Sequence, residues 1–192
     1  MRVISGKYRE KKIDLIKGVT IRPTMGKVRE ALFNILAHSS LMSKAFEEIH
    51  FLDLFTGTGS ISIEALSRGC RSITAVDIDT RCIRANLERL AISDITVLDR
   101  NIINLDSSLI QYDVVFMDPP YMKEAVKYRP ATIVEKSFDN LHKHHWLASG
   151  SIVILEKDRK DNSEMNHQGF EVLDRRRYGT SELLIFRYKE MA

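Results

Sequence analysis

Short apolar runs alternate along this chain with stretches in which apolar residues recur every third or fourth position. Runs at 49–54, 72–77, 95–98, 114–117 and 151–155 are rich in Ile, Val, Leu and Phe. Apolar runs of this length suit strands covered on both faces. Between them lies helical spacing. Val28, Leu32, Ile35 and Leu36 mark one face of a helix over 25–38, and Ile83, Leu87 and Leu90 mark another. Val134, Phe138 and Leu141 mark a helix over 131–146, and Ile61, Ile63 and Leu66 one that follows a glycine turn. This alternation predicts an α/β fold around a mostly parallel sheet. The ends read differently. Residues 170–178 and 182–188 predict an antiparallel hairpin around Gly179-Thr180-Ser181. Residues 2–5 and 11–16, around Gly6-Lys7-Tyr8-Arg9-Glu10, predict a small β-hairpin or ribbon that must lean on the main domain. Lys157 to Asn166 reads as a polar loop.

The strands end in chemistry. The run Val114 to Met117 stops at Asp118-Pro119-Pro120-Tyr121. Two prolines fix two φ angles and remove two backbone donors, so the strand cannot continue. Asp118 precedes a proline and is held away from helical geometry. The result is a stiff loop at a strand's carboxyl end, where open α/β sheets bind ligands. It offers a carboxylate, carbonyls and an aromatic face, a set able to hold a planar amine. The strand 49–54 ends near Asp53 and runs into Phe55-Thr56-Gly57-Thr58-Gly59-Ser60. Gly57 and Gly59 allow positive φ and close approach of a ligand. Ser62 stands where a dinucleotide fingerprint wants its third glycine, which argues against a dehydrogenase. The strand 72–77 ends at Asp77, placed to accept hydrogen bonds from ribose hydroxyls, with Asp79 as the cap of the next helix.

Net charge is +3, but its distribution is uneven: residues 1–30 hold nine Lys/Arg against three acids. A basic arm on a near-neutral body is a footprint for phosphates. Arg2, Lys7, Arg9, Lys11, Lys12 and Arg29 are the candidate RNA contacts. Arg175-Arg176-Arg177 reads as a charged, protected sheet edge. His142, His144 and His145 end a helix, and neither they nor Cys70 and Cys82 have metal-ligand spacing. No apolar run approaches the roughly 20 residues that span a bilayer, and the start lacks a signal-peptide core. Reduced thiols and a cytoplasmic setting are expected.

Asp118-Pro119-Pro120-Tyr121 resembles the catalytic motif of S-adenosylmethionine-dependent methyltransferases that act on exocyclic amines of bases. Arg22-Pro23-Thr24, followed by Val28-Arg29-Glu30-Ala31-Leu32-Phe33-Asn34-Ile35-Leu36, narrows this. It is similar to the N-terminal signature of the bacterial small-subunit 16S rRNA (guanine-N2)-methyltransferase family, as is Gly6-Lys7. The stretches Asp53 to Gly59 and Glu64 to Gly69 are similar to that family's cofactor loop and following helix. The resemblance runs from Gly6 to Tyr178-Gly179-Thr180. Thr58, Ser62 and Lys27 depart from the family's pattern and leave the cofactor-loop geometry in question.

The resemblance implies a Rossmann-like class I methyltransferase fold, with a seven-stranded sheet and an antiparallel C-terminal hairpin. Residues 1–22 would form a basic extension and 23–192 the methyltransferase domain. It implies catalysis by Asp118, Pro119, Pro120 and Tyr121. It implies S-adenosylmethionine held by Asp53, Phe55, Thr56, Gly57, Gly59, Asp77, Ile78, Asn101 and Ile102. Asp99 competes with Asn101 for the adenine contact. Arg22 and Thr24 line either the methionine end of the cofactor or the RNA. The implied substrate is a guanine N2 of 16S rRNA, in an assembling small subunit, and the expected state is a monomer. The alternatives are an adenine-N6 methyltransferase of DNA or RNA and a non-catalytic rRNA-binding assembly factor. No segment is large enough for a separate DNA-reading domain. A protein glutamine methyltransferase would more typically carry Asn at position 118.

Overall fold

The computed structural model describes residues 1–16, 26–38, 40–120, 130–161 and 166–190. The helix α1 spans Gly26–His38. Then come β1 (His50–Leu54), α2 (Ser60–Ser67), β2 (Ser72–Asp77), α3 (Arg81–Leu90) and β3 (Ile95–Asp99). The second half holds β4 (Tyr112–Met117), α4 (Pro130–Lys143), β5 (Leu147–Asp158), β6 (Phe170–Tyr178) and β7 (Ser181–Tyr188). The strands form one seven-stranded sheet in the order β3-β2-β1-β4-β5-β7-β6. β1 to β5 are parallel, whereas β7 pairs antiparallel with both β5 and β6.

Alternate strand residues divide the core between the two faces. Phe51, Phe116, Ile154 and Ile185 pack with Val28, Leu32 and Phe33 of α1 and with Ile61, Ile63 and Ile83. Leu52, Leu54, Val115, Met117 and Val153 pack on the other face with Val134, Phe138 and Leu141 of α4. Two covered faces explain why the central strands are apolar throughout rather than alternating. Trp146 belongs to the second layer, stacked on Tyr112 with ring centroids 5.6 Å apart.

The order of the parallel strands reverses at β1, with β2 and β3 on one side of it and β4 and β5 on the other. This leaves a crevice beyond their carboxyl ends, the position at which open α/β sheets take ligands.

Both boundaries of β5 differ from the sequence expectation. β5 starts at Leu147, not Ser151, because Leu147 pairs with Tyr112 before the register shifts. Gly150, at φ +82°, lies inside that irregular start. β5 also runs on to Asp158, into the expected polar loop, because Lys157 and Asp158 pair with Glu182 and Ser181. His142, expected in a solvated helix end, lies with Nδ1 3.0 Å from the Tyr188 hydroxyl. β6 is the edge strand, and two of its three arginines are paired: Arg176 with Asp174 and Arg177 with Glu182.

The N-terminal ribbon has a single bridge, Arg2 to Lys12. Main-chain bonds such as Val3 to Lys11 and Ile13 to Met1 close the ribbon on itself, and other amides go to the helix beneath. The amides of Ile4 and Ser5 donate to the carboxylate of Glu64, at 2.7 and 3.0 Å. The Lys7 amide donates to the Ser67 carbonyl at 2.8 Å, and the Tyr8 amide to its hydroxyl at 2.9 Å. Gly6 is required here: its φ is +82°, and a Cβ would sit 1.7 Å from the Ser67 carbonyl oxygen. Val3 and Ile13 of the ribbon are buried in the first core layer.

Candidate active site at the carboxyl edge of the sheet

The turn after β1 is built by its own polar side chains. Phe55 leaves the strand at φ +62°, a conformation uncommon for a side chain of its size. Its amide donates to the Val76 carbonyl at 2.9 Å, which ties the turn to β2. Gly57 and Gly59 follow at φ +52° and +79°. The Gly57 amide donates to the Asp77 carboxylate at 2.8 Å. Gly59 lies against α3: a Cβ there would come 2.5 Å from Cγ1 of Ile83.

Asp53 acts from beneath. It is 1% exposed. Its Oδ2 accepts from the Thr56 hydroxyl at 2.7 Å, the Ser62 amide at 3.1 Å and the Ser62 hydroxyl at 2.5 Å. The predicted cofactor contact is therefore a buried brace of the turn. Burial pushes its carboxyl up to about 6, against the pull of those hydrogen bonds. Ser62, which sequence reasoning treated only as a departure from a glycine pattern, is the main partner of this brace. Its hydroxyl also lies 3.1 Å from that of Thr56. A serine beside a strand-end acid in a glycine turn is the signal that was available.

Asp77 ends β2 half-buried and accepts the amides of Gly57 and Asp79, and burial raises its carboxyl above the ordinary range. Ile78 next to it is 72% exposed, an apolar side chain held out at the sheet edge. Asp79 accepts the Arg81 amide at 3.2 Å and pairs with the Arg81 guanidinium, but the N-cap of α3 is Thr80, one residue later than expected, and no side chain caps the helix there. Asp99 lies in register with Asp77 on the neighbouring strand. Asn101 is exposed, and its Oδ1 accepts the Ile103 amide at 3.2 Å. The Ile102 side chain is buried in the second core layer.

β4 delivers Asp118. Met117 is in register with Leu54 of β1, and the Asp118 amide lies 3.5 Å from the Leu54 carbonyl. Asp118 thus stands beside the first residue of the glycine turn. It is half-buried, Pro119 is buried and Pro120 half-buried. Tyr121, Arg22 and Thr24 lie outside the described residues. Among the described residues, no group of three or more His, Cys, Asp or Glu could hold a metal ion. No described helix is long and apolar enough to cross a membrane.

Of the candidate RNA contacts, Arg2, Lys7, Arg9, Lys11 and Lys12 are exposed on the ribbon. Arg29 is a correction. It is 2% exposed, its guanidinium donates to the Arg2 carbonyl at 2.5 Å, and it faces Glu64 at 3.8 Å. Its charge is spent inside the protein, where Glu64 also receives Arg68 at 2.8 Å. Sequence reasoning missed Glu64, an acid among Ile61, Ile63 and Ala65 whose side chain is fully buried.

Comparison with known proteins fits this geometry. The model of the family described as Conserved hypothetical protein 95 matches residues 1–187. Ribosomal RNA small subunit methyltransferase D of Buchnera aphidicola (subsp. Baizongia pistaciae) is 30% identical, over 84% of this chain and 78% of that protein. This chain belongs to their family. An uncharacterized methylase of Rickettsia prowazekii, also 30% identical, aligns over 98% of both chains. Among solved structures, yhhF of Escherichia coli superposes with a TM-score of 0.77 over 100% of this chain and 99% of that one, at 21% identity. The N-methyltransferase NodS of Bradyrhizobium japonicum, solved with S-adenosyl-L-homocysteine, gives 0.61 over 85% and 87%, at 18% identity. The sheet order and these likenesses make the fold that of class I methyltransferases, as the family resemblance implied.

Proposed function

We propose that the protein transfers a methyl group from S-adenosylmethionine to the exocyclic N2 amine of a guanine in 16S rRNA, within an assembling small subunit in the cytoplasm. One observation carries the reading. In a chain of this family, the glycine turn, Asp77 and the half-buried Asp118 meet at one edge of the sheet, at its switch point. The donor set suits the cofactor. Asp77 offers a carboxylate to ribose hydroxyls, and Ile78 an apolar surface to the adenine ring. Gly57 and Gly59 offer main chain without side chains. Asn101 or Asp99 takes the adenine amine, the Ile102 amide offers a second hydrogen bond to the adenine, and Arg22 and Thr24 serve the methionine end or the RNA.

When bound, S-adenosylmethionine supplies an electrophilic methyl group on a sulfonium. The chain's task is to prepare the amine. The lone pair of a guanine N2 is delocalised into the ring, so the amine is a poor nucleophile. Asp118 accepts one N–H hydrogen bond and the Pro119 carbonyl accepts the other. Two acceptors placed off the ring plane favour a pyramidal nitrogen whose lone pair faces the turn. Holding reactants in this way supplies a large share of the rate. Asp118 takes the departing proton or passes it to water. Pro120 stiffens the loop, and Tyr121 stacks on the base once it has left its helix.

Arg2, Lys7, Arg9, Lys11 and Lys12, in a basic extension 1–22 on a methyltransferase domain 23–192, contribute salt-dependent RNA affinity more than base choice. The test is transfer of tritium from labelled S-adenosylmethionine to small-subunit particles from a deletion strain, followed by nucleoside digestion. Label in N2-methylguanosine supports the reading. Label in N6-methyladenosine replaces the substrate, and absence of transfer leaves an assembly factor.

A further inference from the structure

We propose that Asn86 is a positioning residue that registers the basic ribbon against the glycine turn, and so substrate against cofactor. The inference rests on the methyltransferase reading above and adds a residue that its mechanism does not use. Asn86 lies in α3 and is 2% exposed. Its carboxamide pairs in both directions with the main chain of Asp14. Oδ1 accepts the Asp14 amide at 2.9 Å, and Nδ2 donates to the Asp14 carbonyl at 2.9 Å. The same Nδ2 donates to the Thr58 carbonyl at 3.0 Å, between the two glycines of the turn. One planar group therefore fixes the return arm of the ribbon and the middle of the cofactor turn together.

Its neighbours on α3 reinforce both ends. Ile83 fills the space beside Gly59. Arg89 donates to the Lys12 carbonyl and, at 3.2 Å, to Oδ1 of Asn86, and it faces the Asp14 carboxylate at 3.5 Å. The geometry requires a carboxamide. A carboxylate at this position would face the carbonyls of Asp14 and Thr58 with no hydrogen to offer either. A displacement of residues 11–14 is carried to the Thr58 carbonyl through this rigid group. Phosphates held by Lys11 and Lys12 and a cofactor held by the turn then bias the same contact, and the coupling is reciprocal.

The test is calorimetry of the full chain with S-adenosyl-L-homocysteine, alone and with saturating 16S rRNA transcript, with melting curves to verify folding. The wild type is expected to bind S-adenosyl-L-homocysteine more tightly when the transcript is present. Asn86→Asp is expected to bind it about tenfold more weakly than wild type, the loss that follows when buried carbonyls lose their donor, and to lose the transcript's effect. Arg89→Ala removes the guanidinium from the Lys12 carbonyl, the Asp14 carboxylate and Asn86 Oδ1 but leaves the Asn86 Nδ2 donation to the Thr58 carbonyl in place, so it is expected to keep the wild-type affinity for S-adenosyl-L-homocysteine alone and to lose the enhancement. This second variant decides the matter if Asn86→Asp melts below the assay temperature. Wild-type affinity and wild-type enhancement in a folded Asn86→Asp, or full enhancement in Arg89→Ala, would overturn the inference while leaving the methyltransferase reading intact. A wild type that binds no S-adenosyl-L-homocysteine would remove that reading itself.

Discussion

At the scale of single residues, buried charge explains more of this protein than surface charge does. Asp53 is the clearest case. Its carboxyl is raised from 3.8 to about 6 by burial, so the folded state holds the proton more tightly than the unfolded chain. Stability from this group is therefore lost as pH rises between about 4 and 6, and the cost persists above that window. Asp77, raised by the same cause, adds in the same direction. Asp53→Asn is expected to remove up to about 3 kcal/mol of this pH-dependent loss. Urea unfolding midpoints measured from pH 4 to 7 would check it, and parallel curves for variant and wild type would contradict it. Glu64 is a second buried carboxylate, held by ion pairs and amides. Four groups converge on it: Arg29, Arg68 and the amides of Ile4 and Ser5. Glu64→Gln leaves Arg29 buried without its counter-charge and is expected to cost about 3 kcal/mol or more. Hydrogen exchange should show the amides of residues 4 and 5 losing protection first.

At the scale of elements, the chain's apolar periodicity was enough for the central strands and for α1. It was not enough where backbone irregularity or distant main-chain groups decide the outcome. β2 has the bounds that Ser72 to Asp77 suggest, because its apolar run is flanked by a glycine and a helix cap. The start of β5 was hidden by Ser149-Gly150, which reads as a break but is accommodated inside the strand. The position of Asp118 at a strand end was legible, because two prolines allow nothing else. The roles of Asn86 and Glu64 were not. Their partners are amides and carbonyls about 60 to 70 residues earlier, and main-chain groups leave no mark in a sequence. The ribbon was expected to lean on the main domain, and it does so closely. In the fold it contributes Val3 and Ile13 to the core and is tied by Asn86 to the cofactor turn. Deleting it should therefore disturb cofactor binding and stability as well as RNA binding. Surface substitution is the cleaner probe. Replacing Lys7, Arg9 and Lys11 by Ala is expected to lower the slope of log affinity against log salt by about 2 to 3, with the melting temperature little changed. An unchanged slope in filter-binding titrations would separate the ribbon from the RNA path.

At the scale of the whole molecule, the two-layered core serves mainly to hold two strand ends side by side. β1 ends in a turn braced from below by Asp53, Thr56 and Ser62. β4 ends in a loop stiffened by Pro119 and Pro120. The register of Leu54 with Met117 makes the two ends neighbours. The catalytic account depends on that adjacency, and one comparison tests it most directly: methyl transfer and S-adenosyl-L-homocysteine binding in wild type and Asp118→Ala, side by side. If Asp118 orients the amine while the glycine turn and the ends of β2 and β3 hold the cofactor, tritium transfer to small-subunit particles should fall at least about a hundredfold while cofactor affinity is kept. Near-normal transfer by Asp118→Ala would contradict the account.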